Sequence, residues 1–204
     1  MLCIALMVGP GLFWAQSAIS RPPSLSDPYT YISPAGRANW FYSNTVGLTS
    51  LLVAGPWSAG FGTLTNRPEE YGRTWRGFGQ RYGMRLTGVS VGNALEVTTG
   101  AIWGEDPRYF RMGGTDYKGR VLYVLKSPFF SRYRDGQTRF SYARAIATPG
   151  NNFLSNSWRV ESEATVGGAL TRSALGYLGR LTAHGFSEFW PDIQQVVFKK
   201  KQKP

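Results

Sequence analysis

Cysteine and histidine are almost missing from this chain, which has one of each, Cys3 and His184, in 204 residues. A lone cysteine excludes a disulfide framework and any cysteine-based metal site, so packing alone must hold the fold together. His184 and Glu188 are four residues apart and reachable on one helix face, but one His and one Glu do not make a zinc site. No metal and no cofactor is expected. Acidic residues are also scarce, with 12 Asp+Glu against 23 Lys+Arg and a formal net charge of +11. No charged residue occurs from Ala38 to Asn66. Neither P-loop nor dinucleotide-binding spacing is found, and no repeat of fixed period.

What is present is apolar and rich in glycine. Hydrophobic residues make up 42% and aromatics 15%, which excludes a disordered chain. The 25 glycines exceed the usual share of about 7% and follow no collagen-like triplet. A strongly basic chain is drawn to anionic surfaces, of which nucleic acid and anionic lipid are the usual ones. The choice between them depends on compartment.

The first residues bear on compartment. Residues 2–14 are uncharged and strongly apolar, and Ala15 and Ser17 supply a loose A-x-A-like cleavage site. The run is too short for a span, which needs about 20 residues. Residues 1–18 therefore read as a signal peptide that removes Cys3. No Lys or Arg precedes the apolar run, so either the true start lies upstream or the signal is a poor one. Export favours membrane lipid as the anionic partner and disfavours nucleic acid.

Residues 19–36 read as an extended Pro/Ser-rich leader, 37–198 as one helical domain and 199–204 as a basic tail. The uncharged stretch 38–66 reads as a kinked apolar helix with Pro56 near its middle, too polar for a clean membrane span. Asn66 as cap, Pro68 in the first turn and Glu69 and Glu70 behind it predict a helix from about Pro68 to Gly104. Within it Gly79, Gly83, Gly88, Gly92, Gly100 and Gly104 predict close helix packing, since small residues let a neighbour approach. In water each such glycine costs a helix about 1 kcal/mol relative to alanine. A Asp135-Gly136 turn signal leaves room for one short hairpin. Pro149-Gly150 divides the segments around it. A second strong helix begins at Ser162 with Val166, Leu170, Leu175, Leu178 and Leu181 as its apolar face, and Gly185 ends it. A last helix, Phe186 to Phe198, leads into the lysine tail, and together they suit an anionic membrane surface.

Candidate chemistry is thin. Gly88-Val89-Ser90-Val91-Gly92 matches the G-x-S-x-G of a nucleophile elbow, and His184 could complete a Ser–acid–His order. The match lies in a helical, glycine-periodic segment where the elbow's strand-to-helix turn is not expected. Glu96 sits in the glycine row, so packing would bury it and demand a partner, with Arg81, Arg85, Arg144 and Arg172 as candidates. A buried ion pair is the first reading of Glu96, and a functional acid the second. Glu105, Asp106 and Arg108 form a compact corner, read as structural.

The runs NRPEEYG (66–72), WGEDPRYF (103–110) and NNFLSNSW (151–158) resemble an uncharacterised family of predicted exported bacterial proteins. The resemblance extends from about Asn39 to Phe198. It implies an envelope location, periplasm or outer membrane, and brings no activity or catalytic residues.

The sequence thus predicts a mainly all-α, glycine-rich, membrane-associated single domain. Its expected role is a non-catalytic structural or interaction protein of the cell envelope, bound to membrane lipid and open to a protein partner or a second copy. The alternatives are a lipid- or cell-wall-directed hydrolase using Ser90 with His184, or Glu96, and an outer-membrane β-barrel. A barrel needs alternating segments of roughly ten residues, which 68–104 and 162–184 lack.

Overall fold

The computed structural model describes residues 23–199, so the expected signal peptide with Cys3 and the tail beyond Lys199 lie outside the described residues. Helix α1 (Pro34–Thr45) opens where Ser33 Oγ accepts the Gly36 amide at 3.1 Å and Pro34 takes a first-turn position. A π-helical turn (Thr49–Ala54) then leads into α2 (Gly55–Leu64). The expected kink in the uncharged stretch is therefore a π-turn, and Pro56 sits at the start of α2, where its missing N–H costs nothing.

The long helix α3 runs from Trp75 to Trp103, so it begins later than Pro68. Asn66 has φ 53, the Arg67–Pro68 peptide is cis, Glu69–Tyr71 make one 3-10 turn, and Gly72 has φ 65. That left-handed glycine breaks the chain, and Thr74 takes over as cap, accepting the Gly77 amide at 3.1 Å. Gly104 ends α3 in the left-handed region.

Strand β1 (Glu105–Asp106) follows at once and pairs antiparallel with β2 (Phe130–Tyr133), placing Glu105 opposite Tyr133. β2 pairs antiparallel with β3 (Thr138–Phe140) across the Asp135-Gly136 turn, where Gly136 has φ 78. Between β1 and β2 lies α4 (Tyr117–Lys126), capped by Asp116 on the Gly119 amide. Next, α5 (Tyr142–Leu154) runs unbroken through Pro149, which was expected to divide it. Finally α6 spans Val166–Lys199 as one helix. Thr165 caps it, since its Oγ1 accepts the Gly168 amide at 2.9 Å, and Ser162 does not. Gly185 does not end α6: it stays inside the helix and faces α4, where a Cβ would make an ordinary contact with Val124 Cγ1 at 3.6 Å. The described chain is thus mainly helical with one small antiparallel sheet, which is not the barrel alternative. In space α5 packs against both α3 and α6, α2 and α1 lie on α3, and α4 lies on α6.

Burial runs opposite to the usual rule. Among the described residues the buried hydrophobic side chains are Ile32, Phe110, Val124 and four alanines, Ala59, Ala143, Ala147 and Ala169. The largest side chains with essentially no exposure are Arg120 and Glu188. Charged groups are almost never fully buried unless paired, so the interior must be held by paired charges. Helix α6 displays the inversion along its length. Its buried side is Ala169, Ser173, His184 and Glu188, while Val166, Leu170, Leu175 and Leu178 are exposed. The apolar face read from the sequence is real but points outward.

Candidate functional site

Three carboxylates organise the interior. Glu96, 3% exposed and two turns from the C-terminal end of α3, receives Arg144 Nε from α5 at 3.1 Å and Arg180 from α6 on both its oxygens. One carboxylate thereby ties the three long helices together. Arg144 goes further, donating to the carbonyls of Pro107, Ser127 and Phe130 at 2.7 to 3.0 Å and so anchoring the sheet. Burial pushes the Glu96 carboxyl up, but Arg180 and then Arg144 outweigh it and hold it below the usual carboxylate range. A carboxylate held ionised between two guanidiniums is a structural anion and does not fit a general acid.

Glu105, at the corner, accepts from Ser131 Oγ (3.0 Å), Ser141 Oγ (2.6 Å), Tyr133 OH (3.1 Å) and the Ala143 amide (3.1 Å). It locks the sheet to the start of α5. Neighbouring Asp106 faces Arg108 at 2.7 Å. The third carboxylate, Glu188 of α6, accepts from Arg120 Nε (2.8 Å), Tyr109 OH (2.8 Å) and the amides of Met112 (2.9 Å) and Gly113 (2.8 Å). Burial again opposes ionisation there, and these donors outweigh it and lower the pKa. Arg120 Nη2 continues to Asp192 at 2.5 Å.

The serine and histidine of the hydrolase reading are not joined. Ser90 Oγ donates back along α3 to Leu86 O at 2.8 Å. His184 Nδ1 instead meets Ser127 Oγ at 2.7 Å, and the ring stacks on Tyr109 at 4.3 Å. Ser127 Oγ also lies 2.7 Å from Val124 O, to which it donates. With one proton to give, Ser127 donates to that carbonyl and accepts from the Nδ1–H of a neutral imidazole. Burial, with Arg144 and Arg180 nearby, pushes the His184 pKa down to about 2. An imidazole that carries its proton on the serine side and binds another so weakly is a poor general base.

Of the expected partners of Glu96, Arg144 alone reaches it. Arg81 staples the preceding loop to α3, donating to Arg67 O (2.9 Å), Pro68 O (2.7 Å) and Gly72 O (2.7 Å). Arg85 makes one long bond to Ser50 O at 3.4 Å, and Arg172 donates to Glu163 O and Asn156 Oδ1. Sequence reasoning missed Arg180. The available signal was Arg180, His184 and Glu188 recurring every four residues on an otherwise uncharged stretch between Arg172 and Asp192.

The glycine row does not pack as expected. A Cβ on Gly79, Gly83 or Gly88 would meet nothing within 4 Å, while Gly92 approaches Asn151, Gly100 approaches Arg37, Glu105 and Ala143, and Gly104 approaches Arg134. Gly88 and Gly92 on α3 and Gly176 and Gly179 on α6 instead face a cleft of about 700 Å³ whose floor is α5. Among the described residues no group of three or more His, Cys, Asp or Glu could hold a metal ion. Compared with known proteins, the chain matches no family model, no curated protein and no solved structure.

Proposed function

We propose that the protein is a non-catalytic structural or interaction component of a bacterial cell envelope, attached to membrane lipid through its apolar exterior. The observation that carries this reading is the inverted burial. Leu64 is 77% exposed, Trp75 89% and Ile102 75%, and further apolar side chains stand out along α4 and α6. Burying a Leu or Phe side chain fully gains about 1.5–3 kcal/mol, so leaving so many in water is costly. Exposed apolar surface on this scale marks an interaction site, and lipid is the partner that also suits a chain of net charge +11. No helix among the described residues is long and apolar enough to cross a membrane. The reading asks for none, because exposed apolar faces can seat a protein in the interfacial region. The uncharged run 2–14 and the resemblance to an uncharacterised family of predicted exported proteins support the envelope location. The non-catalytic reading rests on the internal use of Glu96, Ser90 and His184 described above.

Cell fractionation tests it. The full chain should stay with membranes through washes in high salt and in carbonate, and leave only in detergent. Release by salt alone would mean that charge holds it and the apolar exterior does not. Recovery in the soluble fraction without detergent would overturn the reading.

A further inference from the structure

The cleft between α3 and α6 has more charge than its own residues neutralise. Six arginines line it, Arg67, Arg81, Arg85, Arg159, Arg172 and Arg180, against two carboxylates, Glu96 and Glu163. Both carboxylates are already engaged, Glu96 by Arg144 and Arg180 and Glu163 by Arg159. Arg85 has no carboxylate partner among the described residues, only the 3.4 Å bond to Ser50 O. Arg172 binds backbone and amide oxygens, and its buried Nε has no hydrogen-bond partner. Burial lowers the pKa of both guanidiniums, and Arg159 beside Arg172 adds like-charge repulsion. On the α5 floor Asn151 Oδ1 is buried and equally unpartnered.

The glycines explain how such a space survives. Gly88, Gly92, Gly176 and Gly179 remove side chains from facing walls, and a Cβ at Gly88 or Gly179 would still meet nothing within 4 Å. Cost in helix propensity is thereby exchanged for room between charged walls. Guanidinium groups with unused donors, held in a partly desolvated cleft, match an anion with several acceptor oxygens. An unpartnered amide oxygen beside them matches a hydroxyl donor.

We propose that this cleft binds a phosphate ester of a polyol, with Arg85 and Arg172 on the phosphate and Asn151 taking a hydroxyl hydrogen bond. The site goes beyond membrane attachment and does not depend on it, since it is made by cleft arginines and an asparagine and not by the exposed apolar side chains. The phosphate ester has two sources, a free sugar- or glycerol-phosphate and the headgroup of a phospholipid.

The full chain, purified in a nonionic detergent, would be titrated calorimetrically with glycerol 3-phosphate and with dihexanoyl phosphatidate, and with glycerol as an uncharged control. Saturable binding of a phosphate probe, absent for glycerol, is expected. Equal affinity for the two probes assigns the free ester, and tighter binding of phosphatidate assigns the lipid headgroup. Arg85→Gln should weaken binding about tenfold or more, the loss of one charge-assisted hydrogen-bond donor. Gly179→Leu, which fills the cleft from a wall with open space before it, should do the same while thermal unfolding is not lowered. Arg76→Gln, an exposed cation outside the cleft, should change nothing. Absence of saturation with either phosphate probe overturns the assignment. So does a loss in Arg76→Gln equal to that in Arg85→Gln, or full binding in either cleft variant.

Discussion

Lowering the pH from 7 to 5 should place a proton demand on one buried side chain before any other. His184 is the chain's single histidine, and its folded pKa of about 2 lies far below the ordinary value of 6.5. The groups around it do not titrate in this window. Ser127 is neutral, and the stacked Tyr109 has its pKa raised, by burial first and then by Glu188. A folded value below the unfolded one means the unfolded chain takes up the proton first. Stability is therefore full above about 6.5 and declines as pH falls towards the folded value, with a slope of about 1.4 kcal/mol per pH unit once the unfolded histidine is protonated. Between pH 7 and pH 5 the loss is about 2 kcal/mol, a large share of a typical margin of roughly 5–15 kcal/mol. Glu96 and Glu188, held below the usual 4.5, add to the loss mainly nearer that value and beneath it. Urea unfolding in detergent, followed by tryptophan fluorescence at pH 7, 6 and 5, measures it. His184→Asn keeps an amide near Nδ1 but has no ionisable group, and its stability should be nearly flat over the same range. A flat wild type, or an equally steep His184→Asn, would refute the reasoning.

Removing Glu96 as Glu96→Gln leaves the buried Arg144 and the partly exposed Arg180 without their shared anion, and should cost about 3–5 kcal/mol in the same assay. Arg120→Gln should cost a similar amount, about 3–5 kcal/mol, because Glu188 is fully buried and loses its cation. Gly79→Ala and Gly83→Ala, with open space before them, should each stabilise by about 0.5–1 kcal/mol, whereas a close-packed glycine row would make both destabilising. Gly77→Ala should behave oppositely, since its Cβ would press on the Tyr71 carbonyl. The pair Leu170→Lys and Leu178→Lys, on the exposed side of α6, should release the protein from membranes by salt or carbonate while the circular dichroism of the helices is unchanged.

Much of the helical layout was readable along the chain because it depends on neighbours in sequence. Gly104 ends α3 and Asp135-Gly136 turns the hairpin through backbone conformations that glycine adopts freely. The misplaced boundaries have equally local rivals. Thr74 displaced Asn66 as a cap and Thr165 displaced Ser162, while Pro149 and Gly185 stayed inside helices that tertiary packing sustains. Propensity at such positions is worth about 1–3 kcal/mol, which long-range contacts can outweigh.

By itself the sequence determined the composition of the interior without its geometry: a charged residue inside an apolar, glycine-rich helix needs a partner, and Glu96 announces that need. Which arginine meets it depends on where α5 and α6 pass α3, and no spacing along the chain encodes that distance. Arg144 and Arg180 are 48 and 84 residues away from Glu96 in sequence. The same holds for the direction of the apolar stripes. Periodicity marks a face as apolar, but whether it turns inward or outward is decided by what the opposite face must bury, and in α6 that face has Arg180, His184 and Glu188 in reach of their partners. Once that face packs inward each of the three groups has to keep its partner, because an unpaired buried charge costs far more than a leucine left facing out.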